Sequence, residues 1–152
     1  MKTGFFLLLC LTACIQNIKA QEAAPSRGSN LAGIRISSKD PVINNSITYK
    51  RFLNADLAIE GLFSFGDPAA LGLLLEKHTP LGSSGLTWFW GAGAYAGFSG
   101  GRKFGAQGAV GLDFTMTQLP FNLSVDWKPE LNFIRQFSFE PSAVGFSVRF
   151  VF

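Results

Sequence analysis

The sequence has few charged residues and few cysteines, and it has no apolar segment long enough for a membrane-spanning helix. Only 15% of its 152 residues are Asp, Glu, Lys or Arg, against about 25% in ordinary soluble domains. Cys10 and Cys14 both lie in one N-terminal apolar segment. The rest of the chain therefore has no thiol for a disulfide or a cysteine-based metal site. No apolar run reaches the ~18 residues that a membrane helix needs.

The N-terminal segment has the pattern of an export signal. Met1 and Lys2 form a short positive region, residues 4–13 are apolar, and Ala20 ends a small-residue cleavage pattern. Residues 1–20 are therefore predicted to be a signal peptide that is removed. The alternative is a lipobox over residues 11–14, which would make Cys14 a lipidated first residue. Both alternatives export the chain, and polar residues 21–30 are then expected to form a flexible N-terminal leader.

Removal of the signal peptide changes the charge balance of the chain. Loss of Lys2 and Lys19 leaves eleven basic residues against ten acidic ones. The remaining chain is nearly neutral, so its composition gives no argument for a nucleic-acid partner. His78 is the single histidine, and a metal site needs several convergent ligands. We therefore expect no metal and no cofactor.

After Asn30 the chain divides into eight segments in which apolar and polar residues alternate, separated by turn residues. Such alternation is typical of β-strands. The fourth segment also reads as a helix, because Asp67-Pro68 is a suitable helix start and Leu74 breaks the alternation. A strand is favoured there because a single-chain bacterial barrel has an even number of strands. The predicted strands are residues 31–37, 46–52, 55–65, 70–78, 86–98, 104–116, 121–128 and 144–152.

The last strand ends the chain on an aromatic residue. Soluble proteins rarely stop on an apolar strand, whereas the last strand of an outer-membrane barrel pairs with the first and ends in an aromatic side chain at the membrane interface. We predict that one face of this strand is a C-terminal insertion signal. That face carries Phe146, Val148, Phe150 and Phe152.

The composition of the two strand faces indicates which of them points inward. One face is rich in Gly, Ala, Ser, Thr and Asn, which suits the crowded interior of an eight-stranded barrel. The other is apolar and has aromatic residues, which suits contact with lipid. Residues 31–152 are therefore predicted to be an all-β, eight-stranded, antiparallel up-and-down transmembrane β-barrel. Its expected aromatic girdle is Tyr49, Trp88, Trp90, Trp127 and Phe152.

Ionic residues on the inward face are predicted to form a polar network in the lumen. Unpaired charges are costly in a narrow interior, so these side chains should pair across the barrel. Arg149 is expected to pair with Glu60 or Asp126. Two interpretations remain: a structural plug, or a gated ion path in which the pairs exchange partners. The predicted members are Arg35, Lys50, Asp56, Glu60, Glu76, Asp113, Asp126, Lys128 and Arg149.

Catalysis is the least favoured class of function. Some eight-stranded barrels modify lipid A with a histidine near the outer rim, but the predicted topology places His78 at the periplasmic rim, as an ordinary interfacial residue. The best ligand surface is the last outer connection, residues 132–142. Its Phe133, Phe137 and Phe139, with Arg135, are expected either to extend the strands or to contact lipopolysaccharide.

Several stretches resemble a known group of proteins. The run from Gly85 to Phe98 (GLTWFWGAGAYAGF), the GLDF sequence ending at Phe114, residues 119–129 (LPFNLSVDWKP) and the closing GFSVRF are similar to small outer-membrane β-barrel proteins of Gram-negative bacteria. The likeness spans about residues 31–152. It implies an eight-stranded barrel in the outer membrane and carries no catalytic signature.

Three hypotheses about function follow from the sequence. The first is a structural or interaction barrel of the outer membrane, plugged by polar side chains. The second is a narrow pore or transporter for small solutes, and the third is a lipid-modifying enzyme. The expected partners are outer-membrane lipid, lipopolysaccharide and, through the C-terminal strand, the barrel-assembly machinery. No feature of the sequence indicates an oligomeric state.

Overall fold

The computed structural model describes residues 29–37, 42–82, 84–98, 103–134, 137–141 and 144–152. The predicted signal peptide, nearly all of the predicted leader, and Arg135 lie outside these residues. Within them, no helix is long and apolar enough to cross a membrane. The strands are β1 (Asn30–Ser37), β2 (Ser46–Phe52), β3 (Leu57–Ser64), β4 (Ala70–Pro80), β5 (Leu86–Gly97), β6 (Lys103–Thr115), β7 (Phe121–Trp127), β8 (Glu130–Asn132), β9 (Ser138–Glu140) and β10 (Val144–Val151).

These strands form one closed antiparallel sheet. Each strand from β1 to β7 pairs with its neighbour in sequence, β7 pairs with β10, and β10 pairs with β1 from Leu31↔Val151 to Ser37↔Gly145. β8 extends β7 along β6, and β9 pairs with β8 and precedes β10. Eight strand positions therefore surround the interior, and the predicted eight-stranded up-and-down barrel is confirmed.

The fourth segment is a strand, and the helix alternative is wrong. β4 pairs with β3 and β5 along its length. Leu71, Leu73 and Leu75 point outward, whereas Leu74 is 1% exposed and lies inside the barrel. Leu74 breaks the apolar alternation because this part of the interior is itself apolar.

The two faces of the sheet differ sharply in chemistry. The outer face exposes large apolar side chains on every long strand, among them Ile34, Leu73, Trp90, Val125 and Phe150. The inner face buries charged and polar side chains. This is the reverse of a water-soluble barrel, whose apolar face is inside.

The interior contains two regions along the barrel axis. We call the end where β1 begins and β10 finishes the terminal end, and the other the distal end. The distal half contains an apolar group, the distal cluster, in which Val42 and Ile43 come from the β1–β2 connection. Most of the charged side chains, among them Lys50, Asp113 and Arg149, lie nearer the terminal end. The distal cluster is Val42, Ile43, Leu62, Ala70, Leu74 and Tyr95.

Candidate functional site

The most distinctive group of side chains in the interior is a set of ion pairs contributed by six strand positions around the barrel. We call it the central network. Its charged members are each no more than 2% exposed, so their partners must satisfy them within the protein. The central network is Thr48, Lys50, Glu60, Glu76, Asp113, Asn122, Ser124, Lys128 and Arg149.

Glu60 is the acceptor that connects the most members. Its carboxylate receives hydrogen bonds from Arg149 and Lys128, and Thr48 Oγ1 donates to Oε1 at 2.6 Å. Arg149 also donates from Nη1 to Ser124 Oγ at 2.8 Å and to Asn122 Oδ1 at 3.2 Å. Glu60 is one of the two partners that the sequence predicted for Arg149, and the other, Asp126, pairs with Arg35 instead. Arg149 thereby joins β10 to β2, β3 and β7.

Lys50 makes two further ion pairs of the central network. Its Nζ lies 2.7 Å from Glu76 Oε2 and 3.2 Å from Asp113 Oδ2. The same ammonium lies 4.5 Å from the centre of the Phe89 ring, a cation–π distance. Asn122 donates to the other oxygen of Asp113. Two carboxylates from β4 and β6 are thus bridged by one cation from β2.

A second ion pair lies closer to the distal end. Arg35 donates to Asp126 from Nη2 at 2.6 Å and from Nε at 3.0 Å to the same oxygen, Oδ1. Lys128 Nζ lies 3.8 Å from the other oxygen of Asp126 and also binds Glu60. Lys128 therefore connects the Arg35–Asp126 pair to the central network.

Asp56 does not belong to the interior, and its predicted place in the lumen network is wrong. β3 begins at Leu57, one residue later, and Asp56 lies in the β2–β3 turn. Its side chain is 52% exposed and its partner is the equally exposed Lys77, at 3.6 Å. Asp56 has the parity of the inward residues of β3, but it precedes the start of the strand, and a turn residue at the rim does not face the interior.

His78 is in the interior, so its predicted interfacial position is also wrong. It is 2% exposed and stacks on Phe89 with 5.0 Å between ring centres. Its Nε2 lies 3.1 Å from Glu76 Oε2 and its Nδ1 lies 3.3 Å from Thr87 Oγ1. The strand continues to Pro80, which keeps His78 on the inner face. Among the described residues, no three His, Cys, Asp or Glu side chains form a group that could hold a metal ion.

Sequence reasoning missed several polar contributors. Thr48, Asn122 and Ser124 lie on inward positions of predicted strands, so their alternation was a sufficient signal. Glu130 is different. It lies between the predicted seventh strand, which ends at residue 128, and the predicted loop, which begins at residue 132, yet it is 1% exposed and its carboxylate accepts two backbone hydrogen bonds. Glu130 nevertheless keeps the inward parity of Asn122, Ser124, Asp126 and Lys128, so alternation continued past Pro129 would have indicated its position.

The predicted girdle residues and the aromatic residues of the last strand all point outward. Tyr49, Trp88, Trp90, Trp127 and Phe152 are between 38% and 56% exposed. Phe146 and Phe150 are also exposed, and Val148 is half-buried on the same face. Tyr49 and Trp127 carry polar groups that bind Asn30 Oδ1 and the Pro141 carbonyl. Their roles as a membrane girdle and as an insertion signal stay predictions.

Comparison with known proteins identifies the fold. The barrel is similar to the crystal structure of the N-terminal β-barrel domain of Pseudomonas aeruginosa OprF, with a TM-score of 0.58 and 15% sequence identity. The match covers 84% of this chain and 100% of that domain. No protein-family model matches the sequence, and no curated protein matches it. At this identity the likeness concerns the fold alone.

Proposed function

We propose that this chain is an integral outer-membrane β-barrel with a structural or interaction role and an interior closed by its own side chains. The observation that carries the proposal is the reversed surface, apolar outside and ionic inside. A contiguous apolar exterior of this extent is unfavourable in water and favourable in lipid. A closed sheet can cross a bilayer because all its backbone groups are paired.

The outer membrane is the membrane that best fits these features. The N-terminal segment has the pattern of an export signal, and β10 carries Phe146, Val148 and Phe150 on its outward face. Both are typical of bacterial outer-membrane barrels. The resemblance to small barrels of Gram-negative bacteria supports the same location.

The contacts in the interior favour a closed barrel over an open pore. Four cations and five carboxylates of the described residues are buried there. Lys50 and Lys128 each bridge two acidic residues, and the Glu60 carboxylate accepts from Lys128 and Arg149. Opening a continuous path would require these pairs to separate, and each separation leaves a charge without its partner.

Planar-bilayer conductance of the refolded protein tests this proposal. A heat-modifiable shift on a gel first establishes that the barrel has folded. Folded, inserted protein without stable discrete openings is the expected result, because the central network occupies the lumen. Stable discrete openings of the wild-type chain would contradict the closed interior and support the pore.

One observation favours the narrow pore as a second candidate. Within the part of the chain that the structure describes, four buried side-chain oxygen atoms have no hydrogen-bond partner: Ser46 Oγ, Glu76 Oε1, Gln107 Oε1 and Ser147 Oγ. Buried polar atoms of this kind commonly bind internal water. Connected waters along the interior would provide a path for small solutes, and the conductance measurement separates this candidate from a closed barrel.

A lipid-modifying activity is the least supported candidate. Glu76 and Thr87 lie beside His78, so an acid and a hydroxyl are within reach of the imidazole. The group faces the interior, however, and His78 and Glu76 are buried. A lipid acyl chain on the outer face has no access to them, and we infer no catalysis. Activity of purified, folded barrel on lipopolysaccharide, lost in His78→Ala, would overturn this inference.

The outer face also carries the proposed partners. Three exposed phenylalanines lie on or beside β8 and β9: Phe133, Phe137 and Phe139. They continue the apolar exterior at the distal end, where lipopolysaccharide is the expected lipid. The C-terminal strand is the proposed contact with the barrel-assembly machinery. Loss of folded barrel in cells after deletion of Phe152, with refolding in vitro intact, would support that role.

A further inference from the structure

A segment of the β1–β2 connection enters the distal half of the barrel. Val42 and Ile43 are 4% and 2% exposed, and they pack with Leu62, Leu74 and Tyr95 in the distal cluster. These two residues are contributed by a loop, whereas the other members of the cluster lie on strands. The loop residues therefore complete the core of the distal half.

The backbone of this segment is held by a buried carboxylate. Val42 N donates to Glu130 Oε2 at 2.8 Å, and Ile43 N donates to Glu130 Oε1 at 2.9 Å. Hydrogen bonds to an ionised acceptor are stronger than neutral ones. Both oxygens face N–H donors, so the site needs two acceptors side by side, and only a carboxylate offers them.

Two further contacts hold the same segment from other strands. The Ile43 carbonyl accepts from Arg35 Nη1 at 3.5 Å, and Asn44 Oδ1 accepts from Ser64 Oγ at 2.5 Å. Arg35 is also the partner of Asp126. The loop segment is thus tied to β1, β3 and β8.

Glu130 stands on a part of the barrel wall that is joined through prolines. Lys128 and Pro129 separate β7 from β8, and Pro141 follows β9. Proline cannot donate to a strand ladder, but the Pro129 carbonyl accepts from Gly108 N at 3.0 Å and so keeps this part of the wall attached to β6. Beyond Pro129, β8 pairs with β6 from Gly105↔Asn132 to Gln107↔Glu130.

We propose that Glu130 is a latch that keeps the Val42–Asn45 segment inside the barrel and thereby closes the distal half of the interior. When the carboxylate releases Val42 and Ile43, the segment leaves the distal cluster and exposes the side chains behind it. The central network below remains a second, separate closure. This proposal deepens the closed barrel proposed above and rests on it.

Thiol labelling of single cysteines tests the latch. Ser64→Cys places a thiol behind the segment, where Ser64 is buried against Asn44. Ser124→Cys places one in the central network. Each is combined with Glu130→Gln, in a chain from which Cys10 and Cys14 are absent after processing or in which they are replaced by serine. The readout is the rate of reaction with a small methanethiosulfonate reagent in detergent-solubilised, heat-modifiable protein.

Glu130→Gln is the sharpest variant because it preserves volume. One of its two polar atoms becomes an NH₂ donor that faces a backbone N–H, so at least one hydrogen bond is lost. We expect labelling at residue 64 to accelerate at least about tenfold, which is the shift in an opening equilibrium that loss of one charge-assisted hydrogen bond produces. Labelling at residue 124 should not change.

Glu140→Gln is the matched control. Glu140 is exposed on the same hairpin and pairs directly with Glu130 across β8 and β9. It should leave labelling at residue 64 at the wild-type rate. Glu130→Ala provides a second variant that removes both acceptors and should accelerate labelling at least as much as Glu130→Gln.

The outcomes separate the latch from the closed barrel. Equal labelling at residue 64 with and without Glu130, or equal acceleration by Glu140→Gln, would overturn the latch. Rapid labelling at residue 124 in the otherwise unsubstituted chain would overturn the closed interior, whatever happens at residue 64. If neither Glu130 variant gives a heat-modifiable barrel, Glu130 is a requirement for folding and the latch proposal is wrong.

Discussion

The central network and the distal cluster both fill the barrel interior, but they are built in different ways. The central network consists of charged and polar side chains, most of which lie on paired strands. The distal cluster combines apolar strand residues with two residues from a loop. Ion pairs across the barrel hold the first region, whereas hydrophobic burial and a carboxylate–backbone contact hold the second.

The two regions should therefore respond differently to substitution. A strand residue cannot leave the interior without breaking the ladder on both sides, so the central network is fixed by the whole sheet. A loop segment can move out while the sheet remains intact. Substitutions in the central network should therefore reduce the stability of the barrel, and substitutions at the loop contacts should mainly alter access to the interior.

The largest expected effect on stability is at Arg149. Arg149→Leu removes the contacts with Glu60, Asn122 and Ser124 and leaves their acceptors without that donor. We expect the free energy of unfolding to fall by about 3 kcal/mol, at the lower end for a broken buried ion pair because Glu60 keeps Lys128. Urea titration of the refolded protein in detergent micelles measures this change in the free energy of unfolding.

Arg51→Leu is the control for this variant. Arg51 follows Lys50 on the same strand and is exposed. Its replacement should change the free energy of unfolding by no more than about 0.5 kcal/mol. A similar loss for both variants would mean that the interior position of Arg149 is not what makes it stabilising.

The sequence correctly predicts which charged residues of the strands face the interior. Alternation placed Arg35, Lys50, Glu60, Asp126 and Arg149 on one face, and all five are inside the barrel. The reason is physical: in a regular strand successive side chains point to opposite faces. The apolar composition of the other face then decided which one was inward.

Alternation fails where the strand ends or where the chain is not a strand. Asp56 has the correct parity but lies beyond the start of β3. His78 was assigned to a rim because β4 was predicted to end there, and the strand in fact continues to Pro80. Loop residues Val42 and Ile43 have no periodicity, so their part of the distal cluster could not be found from the sequence.

A smaller effect on stability is expected at the seam, which is the pairing of β1 with β10 that closes the barrel. A Cβ added to Gly33 would lie 1.9 Å from the Val148 carbonyl oxygen and 2.6 Å from Arg149 Cα. Both are backbone atoms of the paired strand β10, so β1 and β10 would have to separate. Gly33→Ala should reduce the free energy of unfolding by about 1–3 kcal/mol, the usual cost of overpacking.

Gly61→Ala provides the comparison for Gly33. The nearest atom to a Cβ at Gly61 is the Tyr49 carbonyl oxygen, at 3.9 Å, which is ordinary van der Waals contact. The urea midpoint of Gly61→Ala should therefore stay near that of the wild type. Equal midpoints for Gly33→Ala and wild type would show that β1 and β10 have more room at the seam than their backbone positions indicate.

The smallest effect separates two aspartates that alternation assigned to the same network. Asp56 pairs with Lys77 in an exposed turn, whereas Asp126 receives Arg35 inside the barrel. Asp56→Asn should change the free energy of unfolding by less than about 0.5 kcal/mol, because water screens an exposed pair. Asp126→Asn should reduce it by about 2 kcal/mol, since the buried guanidinium loses an ionised acceptor.

Urea titration at low and high salt distinguishes the two aspartates further. Salt should weaken any contribution of Asp56 to the free energy of unfolding and leave that of Asp126 nearly unchanged, because buried pairs are little screened. If Asp56→Asn reduced the free energy of unfolding as much as Asp126→Asn, a position within a strand would not be what makes an aspartate part of the interior.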